Sequence, residues 1–211
     1  MGCDHQNEPA RAARLFAAGA LTYRHPDNFY VDTVLQGGRH RYGVSPLTAS
    51  ASHGKGDSLL ASVEVGRGFQ LASGWMLEPQ LQVIHQRVDL DGVGMAGADV
   101  EQNTGSRWTL RAGLRVKGER STSAGMLQPY ARLNIYHSSR GWDMTRFTGP
   151  AGATDVATGT GGASAELAAG ATLALSAATS VYGEIGTMRA ASGNAQHSGG
   201  LNGTVGLRVR W

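Results

Sequence analysis

Three things are scarce in this sequence, and each scarcity removes a class of protein. Cysteine occurs once, as Cys3, so no internal disulfide can form and a disulfide-stapled fold is excluded. Charged residues make up 17% of the chain for a net charge of +3, and the arginines are dispersed rather than gathered into a patch. The footprint of a nucleic-acid-binding protein is therefore missing, and no nucleic-acid partner is expected. No run of about 18 apolar residues occurs anywhere, which excludes a transmembrane helix but leaves a transmembrane barrel open, because barrel strands alternate and average to modest hydropathy. The start, Met1 to His5, has no basic segment followed by an apolar run, so no signal peptide is visible.

What is abundant is glycine, at 31 residues, together with period-two alternation of apolar and polar side chains. Nine alternating segments can be drawn, at about 14–24, 28–41, 58–71, 74–88, 106–117, 126–137, 163–175, 179–188 and 201–211. Each is long enough to cross a membrane as a tilted strand, which takes about 9 to 11 residues. In the fifth, Trp108, Leu110, Ala112, Leu114 and Val116 share one face, while Arg107, Thr109, Arg111, Gly113, Arg115 and Lys117 share the other. The sixth places Leu127, Pro129, Ala131, Leu133 and Ile135 against Gln128, Tyr130, Arg132, Asn134 and Tyr136. Alternation alone also fits a soluble β-sandwich.

The connections separate the two folds better. Those at 25–27, 72–73 and 176–178 are short, 118–125 is intermediate, and 42–57, 89–105, 138–162 and 189–200 are long. Short turns on one rim and long loops on the other are the pattern of an outer-membrane barrel, whereas long structureless loops are uncommon in compact soluble domains. The expected fold class is therefore all-β, an antiparallel transmembrane β-barrel. An odd set of nine strands does not suit a single-chain bacterial barrel, where strand numbers are even.

Several segments resemble the β-domain of autotransporters, the type V secretion proteins of Gram-negative bacteria. The carriers are Phe29 to Gln36, Ala61 to Gly66, Gly74 to Gln80, Arg111 to Arg115, Gln128 to Arg132 and the terminal Gly206 to Trp211. The resemblance covers about residues 14–211. It implies a twelve-stranded barrel whose last nine strands correspond to the nine segments, and it leaves the first three strands, a pore-threading helical linker, a passenger and a signal peptide without counterparts here. The expected organisation is a flexible segment at 1–13 followed by the C-terminal portion of a barrel at 14–211. The implied role is an outer-membrane translocator that anchors and helps export an N-terminal passenger. Its partners would be outer-membrane lipid, the barrel-assembly machinery and a passenger in cis. A free-standing barrel acting as adhesin or porin is the alternative.

Two groups of residues are candidates for function. In the terminal strand Val205, Leu207, Val209 and Trp211 fall on the lipid side, with Thr204, Gly206, Arg208 and Arg210 opposite. This resembles the signal that assembly machinery reads by strand addition, where backbone bonds give affinity and alternate side chains give specificity. The family usually ends in Phe, and Trp211 keeps an aromatic end. The second group is a set of lumen-facing charges: Asp32, Glu64, Glu78, Glu166 and Glu184 against Arg107, Arg111, Arg115, Arg132, Arg208 and Arg210. An Arg facing lipid at mid-membrane costs roughly 2 to 4 kcal/mol, so these are expected to point inward.

Aromatics near strand ends, namely Tyr23, Phe29, Trp75, Trp108, Trp142 and Trp211, suit interfacial girdles. Arg67 shares a side with the lipid-facing Phe69, which suggests a bulge between them. The stretch 53–58 contains a Gly-Lys pair without the spacing of a phosphate loop, and 89–92 begins like a calcium loop without its later ligands, so both read as turns. The His residues form no H-E-x-x-H, and no Ser, His and acid set is assignable. No enzymatic activity, cofactor or metal is expected.

Overall fold

Alternation becomes antiparallel sheet throughout the computed structural model, which describes residues 13–44, 52–95, 97–193 and 200–210. The strands are β1 (Ala13–Arg24), β2 (Phe29–Val44), β3 (Ser52–Arg67), β4 (Phe69–Gln70), β5 (Trp75–Leu90), β6 (Val93–Met95), β7 (Ala98–Asn103), β8 (Arg107–Gly118), β9 (Arg120–Thr122), β10 (Gly125–Gly149), β11 (Gly152–Ala174), β12 (Thr179–Gly193) and β13 (Gly200–Val209). Their main path runs β1-β2-β3-β5-β8-β10-β11-β12-β13, each strand hydrogen-bonded to the one before it in this order. These nine are the segments drawn from the alternation. The short β4 and β9 resume the lines of β3 and β8 after a break, pairing with β5 and β10.

The breaks explain two prolines that ought to be unwelcome in central strands. Proline has no N–H for the ladder and is confined to edges and irregularities. On β5, Gln80 pairs with Gly66 and Leu77 with Phe69, so Pro79 lies opposite the interruption between β3 and β4. On β10, Tyr130 pairs with Lys117 and Leu127 with Arg120, so Pro129 lies opposite the interruption between β8 and β9. The bulge expected between Arg67 and Phe69 is absent, because Gly66 pairs with Gln80 and Phe69 with Leu77, three residues on along each strand, so the register runs through the interruption unchanged. Both side chains stay outward, the Arg67 guanidinium 5.5 Å from the Phe69 ring centroid and 3.2 Å from Asp27 at the β1–β2 turn.

Glycine sits where an aromatic ring needs its space. Tyr30 faces Gly66, Tyr130 faces Gly170, Tyr182 faces Gly206 and Trp75 faces Gly118, each as a direct cross-strand partner. A Cβ on Gly66 would lie 2.6 Å from the Tyr30 ring, and one on Gly170 2.7 Å from that of Tyr130. A ring lying across its neighbour's glycine pins register, which matters because a slip of one residue would exchange the two faces.

Burial runs opposite to that of a soluble sandwich. Most of the covered side chains are polar: Glu78 is 3% exposed, Asn134 1%, and Ser62, Ser164 and Glu166 are buried with them, beside Tyr30 and Ala168 in the wall and Val93 and Val100 in the projecting sheet. Leu15, Leu35, Val63, Leu81, Trp108, Leu114, Leu133, Ile135, Leu167, Ile185 and Leu201 are all exposed. A soluble sandwich buries its apolar faces, and burying them is the main source of folding free energy in water. Here that apolar surface is turned outward along every long strand, so the soluble reading fails and the solvent for that face is lipid. The charged and amide side chains line the inside.

At the long-loop end the structure differs from expectation. Segment 138–162 is no loop, because β10 and β11 continue as one hairpin to the pair Gly149 and Gly152, after a register shift between Ser138 and Gly141. Within 89–105, β6 pairs with β7, and β7 pairs with β10 from Met144 to Thr148. A small sheet thus projects beyond the barrel wall. Backbone pairing propagates from the ladder below, so it forms among Gly, Ala and Thr residues that show little alternation. Trp142 pairs with Gly159 in this projection, above the position of a girdle.

Candidate functional site

The alternation that sends leucines outward sends a set of ionisable side chains inward, and the antiparallel register brings them level. Tyr30 of β2 donates to Glu64 of β3 at 2.7 Å and to Glu78 of β5 at 3.3 Å. Gln80 donates to the Tyr30 oxygen at 2.9 Å and to Glu78 at 2.8 Å. Glu78 also takes Lys117 at 2.8 Å and Arg115, both from β8. Glu64 takes the Arg111 guanidinium at 2.7 Å, and Arg111 reaches on to Asn134 Oδ1 of β10 at 3.3 Å.

Asn134 joins this half to a second. Its Nδ2 donates to Glu166 of β11 at 2.8 Å, and Tyr136 donates to the same carboxylate oxygen at 2.8 Å. Arg132 spans Glu166 at 3.0 Å and Glu184 of β12 at 2.8 Å, while Tyr130 donates to Glu184 at 2.7 Å. The result is one continuous polar network from β2 to β12. Carboxylates and cations nearly balance, so each buried charge has an opposite partner, the condition under which buried ions persist. Asp32 Oδ1 and the Nε atoms of Arg111, Arg115 and Arg132 are covered without a hydrogen-bond partner among the described residues. The network therefore holds capacity that it does not use internally. Beside it, at the short-turn end, lies an open hollow of about 670 Å³ bordered by Gln70, Arg115, Lys117, Gln128 and Tyr130.

The structure brings together Glu64, Glu78, Arg111, Arg115, Arg132, Glu166 and Glu184. Asp32 lies on the same face next to Glu64, its cross-strand partner, without joining the network. Arg107 pairs separately with Asp143 at 3.2 Å, nearer the long-loop end. Arg208 shares the inward side of β13, opposite Ser180, but has no ion-pair partner among the described residues, and Arg210 follows the strand with its backbone N–H bonded to Ala178. Of the terminal-strand set, Val205 is 84% and Leu207 63% exposed on the outward face with Val209, and Trp211 lies outside the described residues. Sequence reasoning missed Tyr30, Gln80, Lys117, Tyr130, Asn134 and Tyr136 as members. They share strand parity with the charges, and that parity was the signal available. Among the described residues no group of His, Cys and acids could hold a metal.

Away from the wall the electrostatics are simpler. At the short-turn end Asp27 accepts from His25 Nδ1 at 2.6 Å, which, with the nearby Arg67, holds its carboxyl below the usual range. In the projecting hairpin, two hydrogen bonds from Arg146, at 2.7 and 2.8 Å, lower the Asp155 carboxyl likewise.

Two sequence comparisons point to one family. The sequence profile of the autotransporter β-domain matches residues 4–186. The pertactin autotransporters of Bordetella bronchiseptica and Bordetella parapertussis are each 33% identical over 171 residues, covering 78% of this chain and 18% of the relative. The chain therefore spans about a fifth of the length of the curated relatives it matches. Among solved structures, the β-domain of the Bordetella autotransporter BrkA matches with a TM-score of 0.59 at 20% identity, over 96% of this chain and 75% of that one. The transport unit of AIDA-I from Escherichia coli matches with a TM-score of 0.67 at 14% identity, over 96% and 68%.

Proposed function

We propose, from the premise that this chain belongs to the autotransporter β-domain family, that it works as the outer-membrane translocator for a passenger attached at its N-terminal side. Its location is the outer membrane of a Gram-negative bacterium, and its outward apolar face is the surface that lipid covers. The observation that carries the reading is the inner wall. A passing polypeptide offers backbone and side-chain polar groups that a dry apolar channel would penalise by several kcal/mol each. A wall of paired charges, amides and phenols stays hydrated and exchanges hydrogen bonds with whatever passes, and its pairing keeps any single charge from trapping the cargo.

Two further parts support the same reading. The outward Val205, Leu207 and Val209 form the apolar side of the last strand, which the barrel-assembly machinery would read together with Trp211. The lumen charges Asp32, Glu64, Glu78, Arg107, Arg111, Arg115, Arg132, Glu166, Glu184, Arg208 and Arg210 would line the path. The role is one of transport, with no chemistry asked of any side chain.

The test is surface exposure of a passenger. An epitope-tagged passenger joined upstream of the barrel in its natural frame should become sensitive to protease added to intact cells. Deleting 200–211 should abolish both barrel insertion and exposure. A barrel that inserts normally, with its passenger always protected from external protease, would contradict the proposal.

A further inference from the structure

The outward face is apolar along the span, but it ends unevenly at the long-loop rim. From the short turns upward, the outward residues of β3 are Arg67, Val65, Val63, Ala61, Leu59, Asp57 and Lys55. At about 3.3 Å per residue and a tilt near 40°, Arg67 and Lys55 lie roughly 30 Å apart along the normal, just bracketing an apolar band of about 25 Å. Level with this upper rim stand Arg39 and Arg41 on β2 and Arg87 on β5. On β8 and β10 the outward residues nearest that rim are Trp108 and His137, and β12 adds a single Arg189, so the cations are densest on the β2–β3–β5 sector.

Within the sector, Arg39 pairs with Asp57 at 3.3 Å and Arg87 with Asp89 at 2.8 Å. Arg41 and Lys55 are direct cross-strand partners, both exposed, with no acid within ion-pair distance among the described residues. Like charges placed directly opposite repel, so this register position is unfavourable unless an anion lies between them. Below the cations the wall has little side-chain bulk. A recess of about 460 Å³ is bordered by Leu15, Ala17, Gly37 and Arg39, and a Cβ placed on the neighbouring Gly19 would meet nothing within 4 Å.

We infer that the outward rim of β2 and β3 is a binding site for the phosphorylated glycolipid of the outer leaflet. Arg41 and Lys55 would hold a phosphate of its lipid A part, with an acyl chain lying in the recess beneath. The rim faces that leaflet because it is the long-loop end. Arginine suits phosphate through two parallel N–H donors, with lysine adding a point charge. The inference rests on the outer-membrane location and not on passenger export, so either can fail alone.

The test uses the full-length protein expressed from its own gene, purified from outer membranes and exchanged into uncharged detergent. Native mass spectrometry would follow titration with bisphosphorylated lipid A, dephosphorylated lipid A, phosphatidylglycerol and inorganic phosphate. Lipid A should bind, and the Arg41→Glu, Lys55→Glu double variant should weaken it at least tenfold. Arg189→Glu, outward on β12 opposite Ala165, should leave it unchanged. Should the charge-reversed protein fail to show the heat-dependent gel shift of a folded barrel, Arg41→Gln with Lys55→Gln replaces it, with at least a threefold loss expected. Equal binding by wild-type and variant proteins would overturn the inference. So would phosphatidylglycerol binding as tightly as lipid A, which would mark a general anionic surface, or binding that survives dephosphorylation.

Discussion

The inner wall and the projecting hairpin hold ion pairs made from the same side chains, in opposite surroundings. In the wall, Glu78 and Glu166 are covered and each accepts from several donors on neighbouring strands. In the hairpin, Arg146 and Asp155 pair with ideal two-point geometry but lie exposed. Exposed pairs are screened by water and salt and contribute little, whereas removing one member of a covered set leaves its partners without compensation. The two regions also differ in what holds their strands together. Lipid on one side and a connected network on the other constrain the wall, whereas the hairpin is held mainly by backbone pairing, with a small apolar cover where Val93 and Val100 are buried, Val100 paired with Phe147.

That contrast can be broken most severely from the lipid side. Leu133→Arg places a charge outward near the middle of β10 and should destabilise the barrel by about 3 kcal/mol, read from urea unfolding in lipid vesicles. Next comes the network. Glu78→Ala orphans Arg115 and Lys117, which are partly solvated, so the loss should be about 2 kcal/mol in the same assay, with Glu78→Gln losing less. Overpacking at a register pin is smaller again. Gly66→Ala drives a methyl into the Tyr30 ring and should cost about 1 kcal/mol, an increment that should largely vanish when the same substitution is made in a Tyr30→Ala background.

The hairpin should respond least. Arg146→Ala is expected to leave barrel unfolding unchanged within error. Its local effect depends on pH with a definite sign. Because Arg146 holds the folded Asp155 carboxyl below its ordinary value of 3.8, the pair's contribution is fully present above that value. It is lost as pH falls through the lowered folded value. Amide exchange at Val156 to Thr158 should therefore accelerate, relative to the wall strands, only well below pH 3.8, and Arg146→Ala should abolish the difference.

The same contrast separates what was legible in the sequence from what was not. The nine wall strands could be read because lipid on one side and water on the other demand period two, as in Leu127 to Tyr136. The hairpin at 141–160 could not, since it projects beyond the lipid and, apart from the small cover of Val93 and Val100, nothing forces alternation there. Parity alone assigned the side of Glu64, Arg111 and Glu166, but partnership depends on register across several strands, which no single strand records. Arg208 thus shares the inward parity yet stays outside the network. Asn134, the junction between its halves, carried no charge to attract notice.

The central claim is that the charged face of these strands is the lumen and the apolar face meets lipid. It is tested most directly by single cysteines introduced one at a time from Ala131 to Tyr136 in a Cys3→Ser background, spin-labelled in the inserted barrel. Labels at 131, 133 and 135 should be relaxed by lipid-dissolved oxygen, and labels at 132, 134 and 136 by a water-soluble nickel chelate, alternating without exception. Uniform accessibility along the strand, or the opposite alternation, would contradict the account.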